Sequence, residues 1–195
     1  MCHTEEAGLY YATIAVIIAA SLFYCRKYIR GVRYEEDVRA DAKIIAITGA
    51  NSGIEVPHLD VLICNAGVLC VPTFTKTVDG FEKTWQCNYL GHFLLCELLL
   101  PLVSKSSDGR IINISSMLYE YADSVSSDIV NDPERYGGMM AYNRSKMAQV
   151  MYTRHLAKII EKKRLSVSAM VCHPGNVDSN ILKESGYQWV RIVFR

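Results

Sequence analysis

Four short apolar runs punctuate the chain from residue 43 onward: Lys43–Thr48, Asp60–Cys64, Arg110–Ser115 and Ser166–Cys172. Each is bounded by Gly, Asn, Ser or Pro, and such brevity predicts strands buried on both faces, as in a parallel sheet. Two longer segments lie between them. Phe81–Val103 carries apolar residues on most helical faces and predicts a long, well-buried helix that stops near Pro101. Gly138 to about Lys162 predicts a second long helix, closing on Lys158, Lys162, Lys163 and Arg164, whose charges suit a helix C-terminus. Asp123–Pro133 is a polar connection. Strands alternating with helices predict an α/β fold with a parallel sheet.

The first segment has a different pattern. Leu9–Cys25 is uncharged and interrupted only by Thr13 and Ser21, and Arg26, Lys27, Arg30 and Arg33 follow it. Its length is near the minimum for a helix that spans a bilayer. Tyr10, Tyr11 and Tyr24 sit at its ends, as interfacial anchors do. A cleaved signal peptide is the rival reading. It calls for a basic leading region and a small-residue cleavage site, and neither is clear. The favoured organisation is a membrane anchor with its basic flank at 1–33, a polar stalk at 34–42 and a globular domain at 43–195. The basic flank predicts that the domain stays on the cytosolic side.

Composition changes this picture little. The chain has 195 residues, half of them apolar, and a net charge of +1. That suits one domain with a sizeable core and argues against disorder. No basic stripe points to nucleic acid. The seven cysteines form no C-x-x-C pair, so a disulfide framework is not expected. Cys64 and Cys172 are expected to pack in strands as small hydrophobes. No cluster implies a metal. Two glycosylation patterns, at Asn113 and Asn143, fall in segments expected to be buried.

The candidate chemistry gathers at the ends of the strands. Thr48-Gly49-Ala50-Asn51-Ser52-Gly53-Ile54 follows the first strand, where glycines let the backbone approach a pyrophosphate. Asn65-Ala66-Gly67 follows the second, Ser115-Ser116 ends the third, and Pro174-Gly175-Asn176-Val177 with Ser179 follows the fourth. Asn88 lies in the first long helix, within Asn88-Tyr89-Leu90-Gly91-His92. Tyr142 and Lys146 stand four apart in the second and so share one face. A phenol ionises near pH ~10 and is a weak base at neutrality, whereas a neighbouring ammonium favours its ionised form. The pair therefore predicts a general acid–base device.

Together these motifs resemble the short-chain dehydrogenase/reductase family. The resemblance covers Lys43 to about Lys183. Within the family it points to the membrane-anchored branch of retinol dehydrogenases and the dehydrogenase/reductase X-linked type. It implies a Rossmann-like sheet and an NAD or NADP cofactor, with no readable preference between the two. It also implies a hydrophobic alcohol or aldehyde as substrate, retinoid or polyprenoid in character, and a single-pass protein of the endoplasmic reticulum membrane. By the same resemblance Tyr142 moves the proton, and Lys146 tunes Tyr142 and holds the nicotinamide ribose. Ser116 (Ser115 as the fallback) bonds the substrate oxygen, and Asn88 holds a water beside the lysine. Gly49, Asn51, Ser52, Gly53, Ile54, Asn65, Ala66, Gly67, Pro174, Gly175, Val177 and Ser179 would line the cofactor. Relatives often pair through the two long helices, so a homodimer is an expectation.

The chain departs from the family pattern in two places. Glu55 stands where a Gly normally follows the phosphate loop, and a carboxylate there works against an anionic cofactor. Only Gly49–Leu59 joins the first two strands, where the family places further strands and helices. A parallel crossover normally needs a dozen or more residues. The retained strands would correspond to neighbours in the family sheet, giving a reduced sheet of about four strands. With the chain ending at Arg195, the seventh strand and most of the substrate lobe are also expected to be missing. Two readings follow: an oxidoreductase at a membrane, or a shortened, inactive chain acting at most as a membrane-tethered interaction protein.

Overall fold

In the computed structural model, four parallel strands lie side by side in chain order. The structure describes residues 40–48, 56–175, 181 and 185. The expected anchor, most of the stalk, Gly49–Glu55, Val177 and Ser179 lie outside the described residues. All the described residues but Gly175 belong to one compact unit, Ala40–Pro174 with Asp178–Arg195.

The strands are β1 (Ile45–Ile47), β2 (Val61–Cys64), β3 (Gly109–Ile114) and β4 (Val167–Cys172). Register rows run straight across the sheet: Ala46 pairs with Leu62, Leu62 with Ile111, and Ile111 with Ala169. Pairing of β1 directly with β2 gives the reduced four-strand sheet expected from the sequence. Asp60 secures this corner. Its carboxylate accepts the Ile44 amide at 2.8 Å and the Ser106 hydroxyl at 2.6 Å, and these bonds hold it below the usual carboxylate range. One side chain thus joins β1, β2 and the loop entering β3.

Helix α1 (Lys83–Val103) begins where the buried carboxylate of Glu82 accepts the Thr84 and Trp85 amides at 2.8 and 2.7 Å. Such capping satisfies donors that the first turn leaves without partners. At Gln86–Leu90 the helix widens into a π turn, closed by the Gly91 amide on the Gln86 carbonyl. A Cβ on Gly91 would meet that carbonyl at 3.3 Å, so the missing side chain suits the wide turn. Pro101 does not end the helix, which runs on to Val103 before Ser104 caps it. A proline so near the end costs only one backbone bond.

The expected burial of α1 on most faces is corrected by the structure. His92, Cys96, Leu100 and Val103 are buried, whereas Leu94 and Leu98 are 56% and 67% exposed. The sheet and the second long helix take one stripe of α1, and no described element covers the rest.

A 3-10 turn, Met117–Tyr121, precedes the expected polar connection, which helix α2 (Ser127–Val130) and a second 3-10 turn, Pro133–Arg135, break up. Helix α3 (Gly138–Lys163) follows, ending at Arg164 in a left-handed conformation, φ 52°. Its inward positions Tyr142, Lys146, Gln149, Tyr152, Thr153, Leu156 and Ile160 recur at helical spacing. Buried Arg144 grips Asp123 with two bonds of 2.7 Å and reaches the Ile129 and Arg135 carbonyls, fastening the 117–135 segment to α3. Trp85, Val130 and Ala148 form a small apolar cluster in the same region.

The main core lies between one sheet face and the two long helices: Leu62, Cys64, Cys96, Val103, Ile111, Leu156 and Ile160. Cys64 packs there as expected, its sulfur 3.6 Å from that of Cys96, whereas Cys172 is exposed at the end of β4. Asn113 and Asn143 are buried, so neither glycosylation pattern is presented to solvent.

Candidate active site

Helix α3 delivers Tyr142 and Lys146 to the ends of β3 and β2, where Ser116, Asn88 and Gly67 converge on them. Lys146 is 3% exposed. Its ammonium donates to the Ile114 carbonyl at 2.8 Å and to the Gln149 side-chain oxygen at 2.9 Å. Burial alone lowers its pKa, to about 8. The ammonium lies 5.5 Å from the centroid of the Tyr142 ring.

Tyr142 is buried as well, and burial raises its pKa, while the neighbouring Ser116 hydroxyl pulls in the opposite direction. The sequence argument expects the lysine to draw the phenol down. In the structure burial dominates, and the direction is upward.

The two serines after β3 divide their work. Ser115 is buried and gives its hydroxyl to the Lys146 carbonyl at 3.0 Å, which pins the strand end to α3. Ser116 caps the following 3-10 turn, accepting from the Leu118 amide at 3.3 Å, and its hydroxyl is the one beside Tyr142. Of the two, Ser116 is therefore placed to share a substrate oxygen with the phenol.

Asn88 sits in the π turn and is fully buried. Its side chain accepts the Val68 amide at 2.8 Å and donates to the Val68 carbonyl and the Ser145 hydroxyl, both at 3.0 Å. The helix thereby grips the chain just beyond Asn65-Ala66-Gly67. A Cβ on Gly67 would stand 3.1 Å from the Asn88 side-chain oxygen and 3.9 Å from the Lys146 ammonium. Only glycine leaves that approach open.

Asn65 is exposed, and its amide and that of Ala66 both donate to the Thr48 hydroxyl at 2.9 Å. The same hydroxyl meets His92 at 2.8 Å. The sequence reading did not single out Thr48 or His92. The signal available was His92 four residues after Asn88, one helical turn along the same face. Pro174 is exposed beyond β4, and Gly175 takes the positive φ of 79° that glycine accommodates. Gly49, Asn51, Ser52, Gly53 and Ile54 lie outside the described residues, so the phosphate side of the site is known here through Thr48 alone.

The described residues suit a dinucleotide. An ammonium has three N–H groups. Two of those on Lys146 are spent on Ile114 and Gln149, and the third is what a ribose hydroxyl would accept.

With that geometry in view, the comparisons with known proteins agree. The sequence profile described as short chain dehydrogenase matches residues 34–188. This chain belongs to the short-chain dehydrogenase family. It is 45% identical over 127 residues to human "Retinol dehydrogenase 14", covering 65% of this chain and 37% of that protein. It is 35% identical over 156 residues to human "Retinol dehydrogenase 11", covering 80% of this chain and 48% of that protein. The family member thus falls in the retinol-dehydrogenase-like branch, and its match spans about half or less of these curated relatives. Among solved structures, an uncharacterized protein from Mycobacterium Paratuberculosis superposes with a TM-score of 0.56 at 33% identity. That match covers 71% of this chain and 50% of the other.

Proposed function

We propose that the chain is an NAD(P)-dependent oxidoreductase that interconverts a hydrophobic alcohol, retinoid or polyprenoid in character, and its carbonyl compound. The convergence of Ser116, Tyr142 and Lys146 at the mouth beside Gly67 carries this reading. The cofactor would be held by Asn65, Ala66, Gly67, Lys146 and Pro174 with the phosphate loop, and it supplies the hydride that the protein cannot. The chain's own residues manage the oxygen and its proton. Ser116 and Tyr142 orient the substrate oxygen, the phenol giving its proton when a carbonyl is reduced and taking it back when an alcohol is oxidised. Lys146 stabilises the phenolate left behind, and Asn88 keeps the π turn against Val68 and Ser145.

Met117, Tyr121 and Met139 stand 61%, 69% and 48% exposed on the elements beside Ser116 and Tyr142. These apolar side chains support a lipid-like substrate. The run Leu9–Cys25 supports tethering to a membrane, with the endoplasmic reticulum as the site and the domain in the cytosol. Exposed Leu94 and Leu98 on α1 and Met151 on α3 support pairing of two copies through the long helices.

A second reading, a non-catalytic membrane-tethered interaction protein, is favoured by one observation. Strand β1 has only three residues, and its Ile45 and Ile47 are 42% and 46% exposed.

Titration of the full chain in detergent micelles with NADPH and NADH, followed by retinal reduction, separates the two readings. The enzyme reading expects saturable binding and turnover. It also expects Tyr142→Phe to keep binding while losing at least ~100-fold in rate. Absence of binding to either nucleotide leaves the interaction reading.

A further inference from the structure

His92 is buried, and its ring joins two elements. Nε2 lies 2.8 Å from the Thr48 hydroxyl, and Nδ1 lies 2.9 Å from the Asn88 backbone carbonyl. The proton count fixes its state. A hydroxyl oxygen accepts twice and donates once. Both acceptor positions on Thr48 are filled, by the amides of Asn65 and Ala66. The hydroxyl proton therefore goes to Nε2, which must be bare. The ring proton then sits on Nδ1 and is donated to Asn88. The Gln149 amide nitrogen, 3.4 Å from Nδ1, faces another donor and makes no bond there, because its own oxygen is taken by Lys146.

We propose that His92, held neutral with its proton on Nδ1, is a positioning residue for the dinucleotide site. It locks the end of β1, the Asn65–Gly67 turn and the π turn carrying Asn88 into one unit. This rests on the oxidoreductase reading only for the identity of the ligand; the lock itself is a property of the chain. His92 touches no reacting atom. It acts through Thr48, whose oxygen orients the Asn65 and Ala66 amides, and through Asn88. A protonated ring would press a second N–H against an oxygen with no lone pair free. Burial, more than the Lys146 charge, keeps the imidazole pKa below its ordinary value against the opposing pull of the Asn88 carbonyl.

The test uses the full chain in detergent micelles. Without ligand, imidazole 15N shifts should show a protonated Nδ1 and a bare Nε2, and the ring should not titrate near pH ~6.5. Amide exchange at Asn65 and Ala66 should be slow, and faster in His92→Phe. With NADPH, His92→Phe and Thr48→Val should each weaken binding about tenfold, and the double variant no more than either alone. Thr48→Ser should bind as the parent does. A proton on Nε2, ordinary titration, or unchanged exchange in His92→Phe would overturn the lock. Additive losses would overturn it too. If the parent chain fails to bind NADPH, the enzyme reading falls, and shifts and exchange alone judge His92. If His92→Phe does not fold, the near-isosteric Thr48→Val and Thr48→Ser pair decides.

Discussion

The β3–β4–α3 side of the molecule and the β1 side are built to different standards. On the first, Ile111 and Leu156 are fully buried, Arg144 ties down the 117–135 segment, and Ser115 and Lys146 stitch the strand end to the helix. On the second, β1 contributes three residues against six in β4, and its Ile45 and Ile47 are exposed. Tyr142 and Lys146 therefore rest on a well-buried base, while the β1 side depends on a few polar ties: Asp60, Thr48 and His92. One part of a sheet can hold its side chains by burial while its neighbour relies on a handful of polar bonds.

Substitutions can break this contrast or sharpen it. Leu156→Ala should cost about 3 kcal/mol in urea unfolding, since the side chain is wholly enclosed. A loss below ~1 kcal/mol would show that the well-built side is looser than it looks. Arg144→Met should cost about 2 kcal/mol, less than a fully buried pair because Asp123 is half exposed. The same pair sets an acid limit. Arg144 lowers the Asp123 pKa to about 2, so its contribution is complete above the ordinary 3.8 and fades as pH falls from there through 2. Acid unfolding monitored by circular dichroism should shift to higher pH in Asp123→Asn.

Lys146→Met removes a buried ammonium together with its two hydrogen bonds, so stability at pH 7 should change by no more than about 1 kcal/mol. On the proposed function retinal reduction should be lost, and the parent should carry a pH dependence that the variant lacks. The sign follows from linkage. Between pH 8 and about 10 the unfolded lysine holds its proton and the folded one releases it, so parental stability rises with pH in that window. Urea midpoints of Lys146→Met should stay flat there. Ile47→Thr, on the thin side, should move stability by no more than about 0.5 kcal/mol. A larger loss would mean that the outward face is covered in solution and the contrast is overstated.

Much of this was legible in the chain. The four strands and the helices fell where the apolar runs and their breakers placed them, because short runs closed by Gly, Ser or Pro have few other ways to be buried. Tyr142 and Lys146 were legible from spacing, and adjacency of the four strands followed from the family order. What could not be read depended on three-dimensional surroundings. Apolar periodicity in α1 records which residues dislike water, but not which find cover, so Leu94 and Leu98 were expected inside. The direction of the Tyr142 shift turned on burial, and no spacing encodes that. Thr48 and His92 meet across 44 residues of sequence and belong to two different motifs, neither of which shows that they touch.

The wide turn at Gln86–Leu90 has a consequence for the whole of α1. Each helical residue advances the side-chain direction by roughly 100°. A π turn carries one residue more than an α turn, so everything after it is rotated by roughly that amount relative to an unbroken helix. Trp85, before the turn, packs with Val130 and Ala148, whereas Cys96, Leu100 and Val103, after it, pack on the sheet. The turn works as a phase shifter. One helix serves two apolar clusters, with Tyr89 touching both and Asn88 at the joint where the phase changes.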